Sequence, residues 1–207
     1  MRTVSKTLSE KVYDAIVDQI IRGEINASTV LTEASLVESF QISKSPVREA
    51  LVRLCHEEIL VSIPRFGYKV QLVNKDYLEG IIRMRFNIEP KYLDIYFDKL
   101  TEEDFKRIRA SIATLDKDVL SNPFAYWQAT CTFHLALAFS YHDQFFYNTM
   151  QSILNKQLIT FAQLYWNNWS DVADTKMIDN HTVVLDAIEA GHKEEAIKLL
   201  EADIKSF

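Results

Sequence analysis

A mainly helical fold, broken by one short β-hairpin at the end of its first third, is what three features of the sequence predict. Apolar residues recur at helical spacing through most of the chain, the 207 residues hold only four Gly and four Pro, and β-forming residues gather on either side of Pro64-Arg65-Phe66-Gly67. A sandwich or barrel would need more turn residues. With 48% apolar and 25% charged residues, the chain is long enough for one large or two modest domains, each with its own core. No apolar run approaches the roughly 20 residues needed to cross a bilayer. The opening MRTVSKTLSEK has no signal-peptide apolar stretch, so a cytoplasmic protein is expected. Cys55 and Cys131 are too distant for a CxxC site and are expected as small core residues, so folding needs no disulfide or metal.

The elements follow in order. Leu8, Val12, Ile16 and Ile20 recur every four residues with Asp14 and Asp18 between them, predicting a helix over 8–22 stopped by Gly23. Thr32 caps a shorter helix to about Phe40 that exposes Glu33 and Glu38 and buries Leu36 and Val37; Gln41 to Lys44 form a short link. Ser45 followed by Pro46 reads as the start of a third helix, with Val47, Leu51 and Leu54 on its apolar face and Arg48 and Arg53 elsewhere. Leu60–Ile63 and Tyr68–Val73 form the hairpin, with Gly67 as the permissive turn residue. Helix, helix, turn, helix, hairpin is the order of a winged helix-turn-helix, assigned to residues 1–73. Residues 74–207 are expected to form an antiparallel bundle of about six helices, near 75–98, 101–119, 122–141, 143–169, 174–190 and 192–206. Pro90 should kink the first, Thr101 with Asp104 should cap the second, and Asn122-Pro123 and Gly191 punctuate later links. The interior of such a bundle suits a small molecule or a metal.

Charge divides along the same line. Residues 1–73 carry nine cations and nine acids, whereas 74–207 carry fourteen and twenty, so the net −6 belongs to the helical part. Residues 42–73 hold five cations against three acids, a modest footprint for duplex DNA that favours two copies acting together. The second helix of a helix-turn-helix enters the major groove N-terminus first, which singles out Ser43, Lys44, Ser45 and Arg48 as base- or phosphate-reading residues. Arg65 at the hairpin tip, beside Gly67, is placed as a wing toward the minor groove or phosphates, and Arg53 is expected at the DNA backbone.

The run SKSPVREALVRLCHEEILVSIPRFGYKV resembles the DNA-binding signature of the GntR family of bacterial transcription factors, over roughly residues 5–73. That resemblance implies DNA contacts at Lys44, Arg48, Arg65 and Gly67. Lys44 stands where most members have Arg, implying an altered base preference, and Ala34 stands where a further Arg is common. The later part resembles the FCD effector domain of the FadR-type branch. The residues that carry this are Arg85-Phe86-Asn87-Ile88-Glu89, Phe133-His134 and Asn180-His181. The family binds Zn, Ni or a similar divalent ion, and the resemblance maps its ligand positions to Thr130, His134, His181 and Asp203. Thr130 replaces the usual Asp and is a poor ligand, whereas Asp203 replaces a His with a carboxylate that can coordinate. His134, His181 and Asp203 are thus the implied metal set. In the alternative without metal, Thr130 hydrogen-bonds the effector directly and Arg85 pairs with its carboxylate, the family's usual effectors being small organic acids.

Other features have plainer readings. His134 sits in the apolar run FHLALAF, where a packed core histidine competes with a ligand, and His56, His142 and His192 are expected at the surface. Phe161, Tyr165, Trp166 and Trp169 suit a core or dimer face better than a ligand cage, and Glu102, Glu103 and Asp104 read as a solvated first turn. Together these predict a ligand-responsive transcription factor, homodimeric on a pseudo-palindromic operator. The rival is a metal-dependent enzyme using His134, His181 and Asp203, which lacks an evident general base; no Gly-rich phosphate loop supports a nucleotide-binding protein.

Overall fold

Thr7 opens the first helix. Its hydroxyl accepts the Glu10 N–H at 3.2 Å, and the Glu10 carboxylate accepts the Thr7 N–H at 2.7 Å. The resulting α1 (Leu8–Ile21) buries Val12, Ile16 and Ile20 of the predicted stripe, together with Tyr13 and Ile21, while Leu8 is exposed. The computed structural model describes residues 6–113, 123–165 and 176–206. The chain divides into two compact units, Met1–Asn74 with Ile159–Trp166, and Lys75–Leu158 with Asn167–Phe207.

In the first unit, Thr32 and Ser35 cap α2 (Glu33–Phe40) reciprocally, and the helix ends at Gln41 in a left-handed conformation, φ 53°. The third helix, α3 (Lys44–His56), starts earlier than the sequence suggests. Ser43 occupies the cap position, and Ser45 lies inside the first turn with its hydroxyl donating to Glu49 at 3.0 Å. Pro46 is therefore the third helical residue, not the first. It is tolerated because the first four N–H groups of a helix have no helical acceptor to lose. Val47, Ala50, Leu51 and Leu54 are fully buried and form the unit's core with α1.

The hairpin pairs β1 (Leu60–Ile63) with β2 (Gly67–Val70), Leu60 opposite Val70 and Ile63 opposite Gly67. The second strand ends at Val70, short of the expected Val73. The turn residue also differs from expectation. Phe66 N–H donates to the Ile63 carbonyl at 3.0 Å, and Arg65 supplies the left-handed position with φ 68°, the geometry of a turn with Pro at its second residue. Gly67 has another role. At φ 125° it lies against Leu31, whose carbonyl oxygen would be 2.2 Å from any Cβ there. Its closeness lets Leu31 and Tyr68 exchange two backbone hydrogen bonds of 2.8 Å, tying the segment before α2 to the hairpin.

After Asn74 the described residues contain the six expected helices: α4 (Lys75–Tyr96), α5 (Glu102–Ala113), α6 (Pro123–Ser140), α7 (Gln144–Tyr165), α8 (Lys176–Glu189) and α9 (Lys193–Lys205); all belong to the second unit except α7 from Ile159 onward. Their predicted ends near 119, 169 and 174 lie outside the described residues, as do Asn122, Trp166 and Trp169. A short 3₁₀ turn, Phe97–Lys99, replaces the predicted last residues of α4, and the helix itself runs unbroken through Pro90. Leu93, Ile108, Phe133, Leu137, Met150, Leu154, Val184, Leu200 and Ile204 form one buried core, with α9 packed on both α4 and α8.

Thr101 and Asp104 cap α5 as expected. Asp104, however, is buried, not solvated: it accepts from the Thr101 N–H at 3.0 Å and from Arg107 at 2.9 Å. A capping carboxylate that meets several donors at once loses little by leaving water. No helix among the described residues is long and apolar enough to cross a membrane.

Candidate functional site

The start of α3 gathers the predicted DNA-reading residues. Ser43 stands at the cap, Lys44 and Ser45 are the first two helical residues, and Arg48 follows one turn later, with Lys44 and Arg48 well exposed. Both cations converge on Glu33, the first residue of α2. Arg48 makes a two-pronged pair with it, Nε to Oε1 at 2.9 Å and Nη2 to Oε2 at 3.1 Å, and Lys44 Nζ reaches Oε2 at 3.0 Å. Glu33 was expected on an open face, yet its side chain is only 20% exposed, against 58% for Arg48 and 64% for Lys44. The hydrogen bonds from Arg48 and Lys44 hold its carboxyl at about 2. A neutral-looking sequence thus presents two cations outward with one acid behind them.

Of the remaining predicted contacts, Arg65 is exposed at the hairpin tip, next to Phe66, itself 72% exposed. Arg53 turns to its own unit. It donates to Glu57 at 2.8 Å and stacks over the Tyr13 ring at 4.0 Å, and the Tyr13 hydroxyl donates to the same Glu57. Burial and that carboxylate push the Tyr13 hydroxyl above its usual range. Gly67 is engaged by the Leu31 segment, as described.

The second unit brings together the residues that the sequence placed on three different helices. His134 on α6, His181 on α8 and Asp203 on α9 are all buried, and one nitrogen from each ring and one carboxylate oxygen lie within 4.8 Å of one another. His134 Nε2 is 3.2 Å from Asp203 Oδ2 and His181 Nε2 is 3.4 Å from Oδ1, but neither contact has hydrogen-bond direction. Both Asp203 oxygens and both His181 nitrogens consequently lack a directed hydrogen bond among the described residues. Neighbouring ligands bound at 2.0–2.1 Å sit roughly 2.8–3.4 Å apart in octahedral or tetrahedral geometry, so the two His–Asp203 separations and this donor set fit a divalent ion of the Zn or Ni kind once the set, now within 4.8 Å, draws in around it. Phe133 stacks on His181 with ring centroids 4.2 Å apart and fixes its plane.

The three groups shift differently: against burial and Arg85, the Glu89 and Asp203 carboxylates raise His134. Burial alone would raise the Asp203 carboxyl, yet the facing imidazoles hold it below the ordinary carboxylate range. Burial lowers His181, keeping its ring neutral. His134 Nδ1 is 2.7 Å from Glu89 Oε2, which directs the other ring nitrogen toward Asp203. Glu89 in turn accepts from Arg85 Nε at 2.5 Å, and Arg85 Nη1 donates to Gln157 Oε1 at 2.8 Å. Arg85, predicted to meet an effector carboxylate, is fully buried and already engaged by Glu89 and Gln157. Thr130 is buried one helical turn before His134.

Three participants escaped the sequence reading. Glu89 carried a signal, four residues after Arg85 on one helix. Glu33 and Gln157 carried none, since each pairs with a residue remote in sequence. Of the aromatic group, Phe161 and Tyr165 lie with ring centroids 4.5 Å apart.

Residues 8–70 match the family described as bacterial regulatory proteins, gntR family, and residues 80–206 match the FCD domain. The chain is similar to the gluconate operon transcriptional repressor of Bacillus subtilis (strain 168), 27% identical over 189 residues that cover 83% of this chain and 71% of the relative. In fold it resembles the solved structure of E. coli McbR/YncC, with a TM-score of 0.72 and 19% identity over 97% of this chain and 95% of the other. A GntR transcriptional regulator from Rhodococcus sp. RHA1 gives a TM-score of 0.74 and 19% identity over 95% and 93%. These relatives are named as regulators, which leaves the reading as a metal-dependent enzyme without support.

Proposed function

We propose, for a chain that belongs to the FCD-bearing branch of the GntR family of transcriptional regulators, that it binds operator DNA as a homodimer and releases or tightens it when a small organic acid enters the helical part. Residues 1–73 serve DNA and residues 74–207 serve the effector and the dimer. Lys44 and Arg48, with Ser43 and Ser45, read base edges or phosphates, and Arg65 reaches from the hairpin tip. Two copies double a modest contact set and match a pseudo-palindromic site, and a role on DNA is in keeping with the expected cytoplasmic location.

The observation that carries the effector half is the convergence of His134, His181 and Asp203 within 4.8 Å in a buried interior. These three residues would hold a divalent ion such as Zn or Ni. Such an ion, when bound, supplies a Lewis-acidic centre for a ligand carboxylate or hydroxyl. Glu89 orients His134 for that role, Arg85 holds Glu89, and Thr130 offers a hydroxyl beside the site. The gluconate operon named for the Bacillus relative supports a hydroxy acid as the kind of effector. Coupling follows as a population shift, with the effector favouring one arrangement of the paired winged parts over another.

The test is metal analysis by mass spectrometry on tag-free protein, wild type and His134→Ala, before and after reloading with Zn or Ni, with operator affinity measured on each. Stoichiometric metal in wild type, lost in His134→Ala, is the expected result. Wild type that stays metal-free after reloading would refute metal anchoring and leave direct recognition of the effector without an ion. Absence of sequence-specific duplex binding by every form would refute the regulator reading of this chain.

A further inference from the structure

We propose that Glu33 is a positioning residue for base recognition, holding the Arg48 guanidinium so that its outer edge meets one base pair. The inference rests on α3 being the helix that reads DNA. A guanidinium has five donors in a fixed plane, and Glu33 takes the Nε side with two bonds of 2.9 and 3.1 Å. That leaves the Nη1–Nη2 end of the fork, two parallel donors matched to the O6 and N7 acceptors of guanine, on a side chain 58% exposed.

The carboxylate is itself fixed from behind. Glu33 follows the reciprocal Thr32–Ser35 cap, and Leu31, two residues earlier, is bonded twice to Tyr68 of the hairpin. Glu33 is only 20% exposed, so it stands behind the cations and does not compete with them for the DNA surface. Lys44, held by the same Oε2 at 3.0 Å, keeps two ammonium donors for phosphate or a base edge. An unbraced Arg would sample many rotamers and bind phosphate as readily as a base. A braced one pays little ordering cost on docking, and a good two-pronged base contact discriminates by about 5- to 150-fold.

The experiment selects binding sites from random-sequence duplexes with the full chain as wild type, Arg48→Ala, Glu33→Gln and Glu33→Asp, each first shown by circular dichroism to be folded. Relative affinities at every base pair of the selected site are then read out. Arg48→Ala and Glu33→Gln are expected to lose preference at the same base pair, by about tenfold or more. Other positions keep theirs, Glu33→Asp recovers part of the loss, and binding of Glu33→Gln to arbitrary duplex holds or rises with the acid gone. Full preference retained by Glu33→Gln at the pair that Arg48→Ala loses overturns the proposal. An even loss at all positions does the same, since it marks a general structural defect. Wild type that enriches no sequence refutes instead the DNA-reading role of α3 on which the inference stands.

Discussion

Replacing Gly67 by Ala tests how the hairpin is joined to the rest of its unit. The added Cβ would lie 2.2 Å from the Leu31 oxygen, well inside the 3.0 Å approach that real Cβ atoms essentially never show, and a tight 3.3 Å from its carbon. Leu31 must retreat by nearly 1 Å, which breaks or lengthens the two 2.8 Å bonds it exchanges with Tyr68. Each such bond contributes about 0.5–1.5 kcal/mol net. Ala at φ 125° adds about 1–3 kcal/mol of backbone strain. The expected cost is roughly 2–6 kcal/mol, against about 0.5 kcal/mol for an ordinary surface change. Urea unfolding followed by circular dichroism gives the magnitude, and amide exchange at Leu31 and Tyr68 locates it. Gly80→Ala is the control. That glycine lies inside α4 with nothing within 4 Å of a Cβ, and Ala there should stabilise by about 0.5–1 kcal/mol. Gly67→Ala as stable as wild type, with slow exchange at both amides, would refute the account of this junction.

Two further outcomes are expected. Glu89→Gln should weaken Zn or Ni binding about 10- to 100-fold in chelator competition, because the carboxylate that orients His134 is lost; unchanged affinity would separate Glu89 from the metal set. The Glu33 carboxyl falls from 4.5 to about 2 in the folded chain, so its contribution to stability is complete above pH 4.5 and is lost as pH falls toward 2. Wild type and Glu33→Gln should therefore unfold with a constant offset from pH 8 to 5 that narrows only in acid, and an offset that changes above pH 5 would contradict this assignment.

What could be read from the sequence was whatever depends on neighbours along the chain. Thr32 and Thr101 announced helix starts because a cap and its partner are three residues apart, and α3 showed its inward face through Val47, Leu51 and Leu54. Ser45 misled because Ser43 and Ser45 are both competent caps, and the choice depends on where the preceding link ends at Gln41. Gly67 and Arg65 exchanged roles for a similar reason: glycine is the expected turn residue, but its demand here comes from Leu31, more than thirty residues away. Asp104 looked solvated because its burial is set by Arg107 and by packing that no local pattern records. In the interior, the family resemblance pointed to His134, His181 and Asp203. The chain Gln157–Arg85–Glu89–His134 became visible only once α4, α6 and α7 were placed together.

The interior polar network also bears on how the protein is made. Its members arise on α4, α6, α7, α8 and α9 in that order, and Arg85 leaves the ribosome about 120 residues before Asp203. At roughly 5–20 residues per second, the Arg85–Glu89 pair waits roughly 6 to 24 seconds before the helix bearing Asp203 is synthesised. During that interval the Arg85–Glu89 pair holds itself together, but the site that Asp203 completes is left to water. The helical part should therefore stay loosely hydrated until α9 docks, and a nascent chain stalled before residue 203 should be cleaved faster within α6 and α8 than the finished chain.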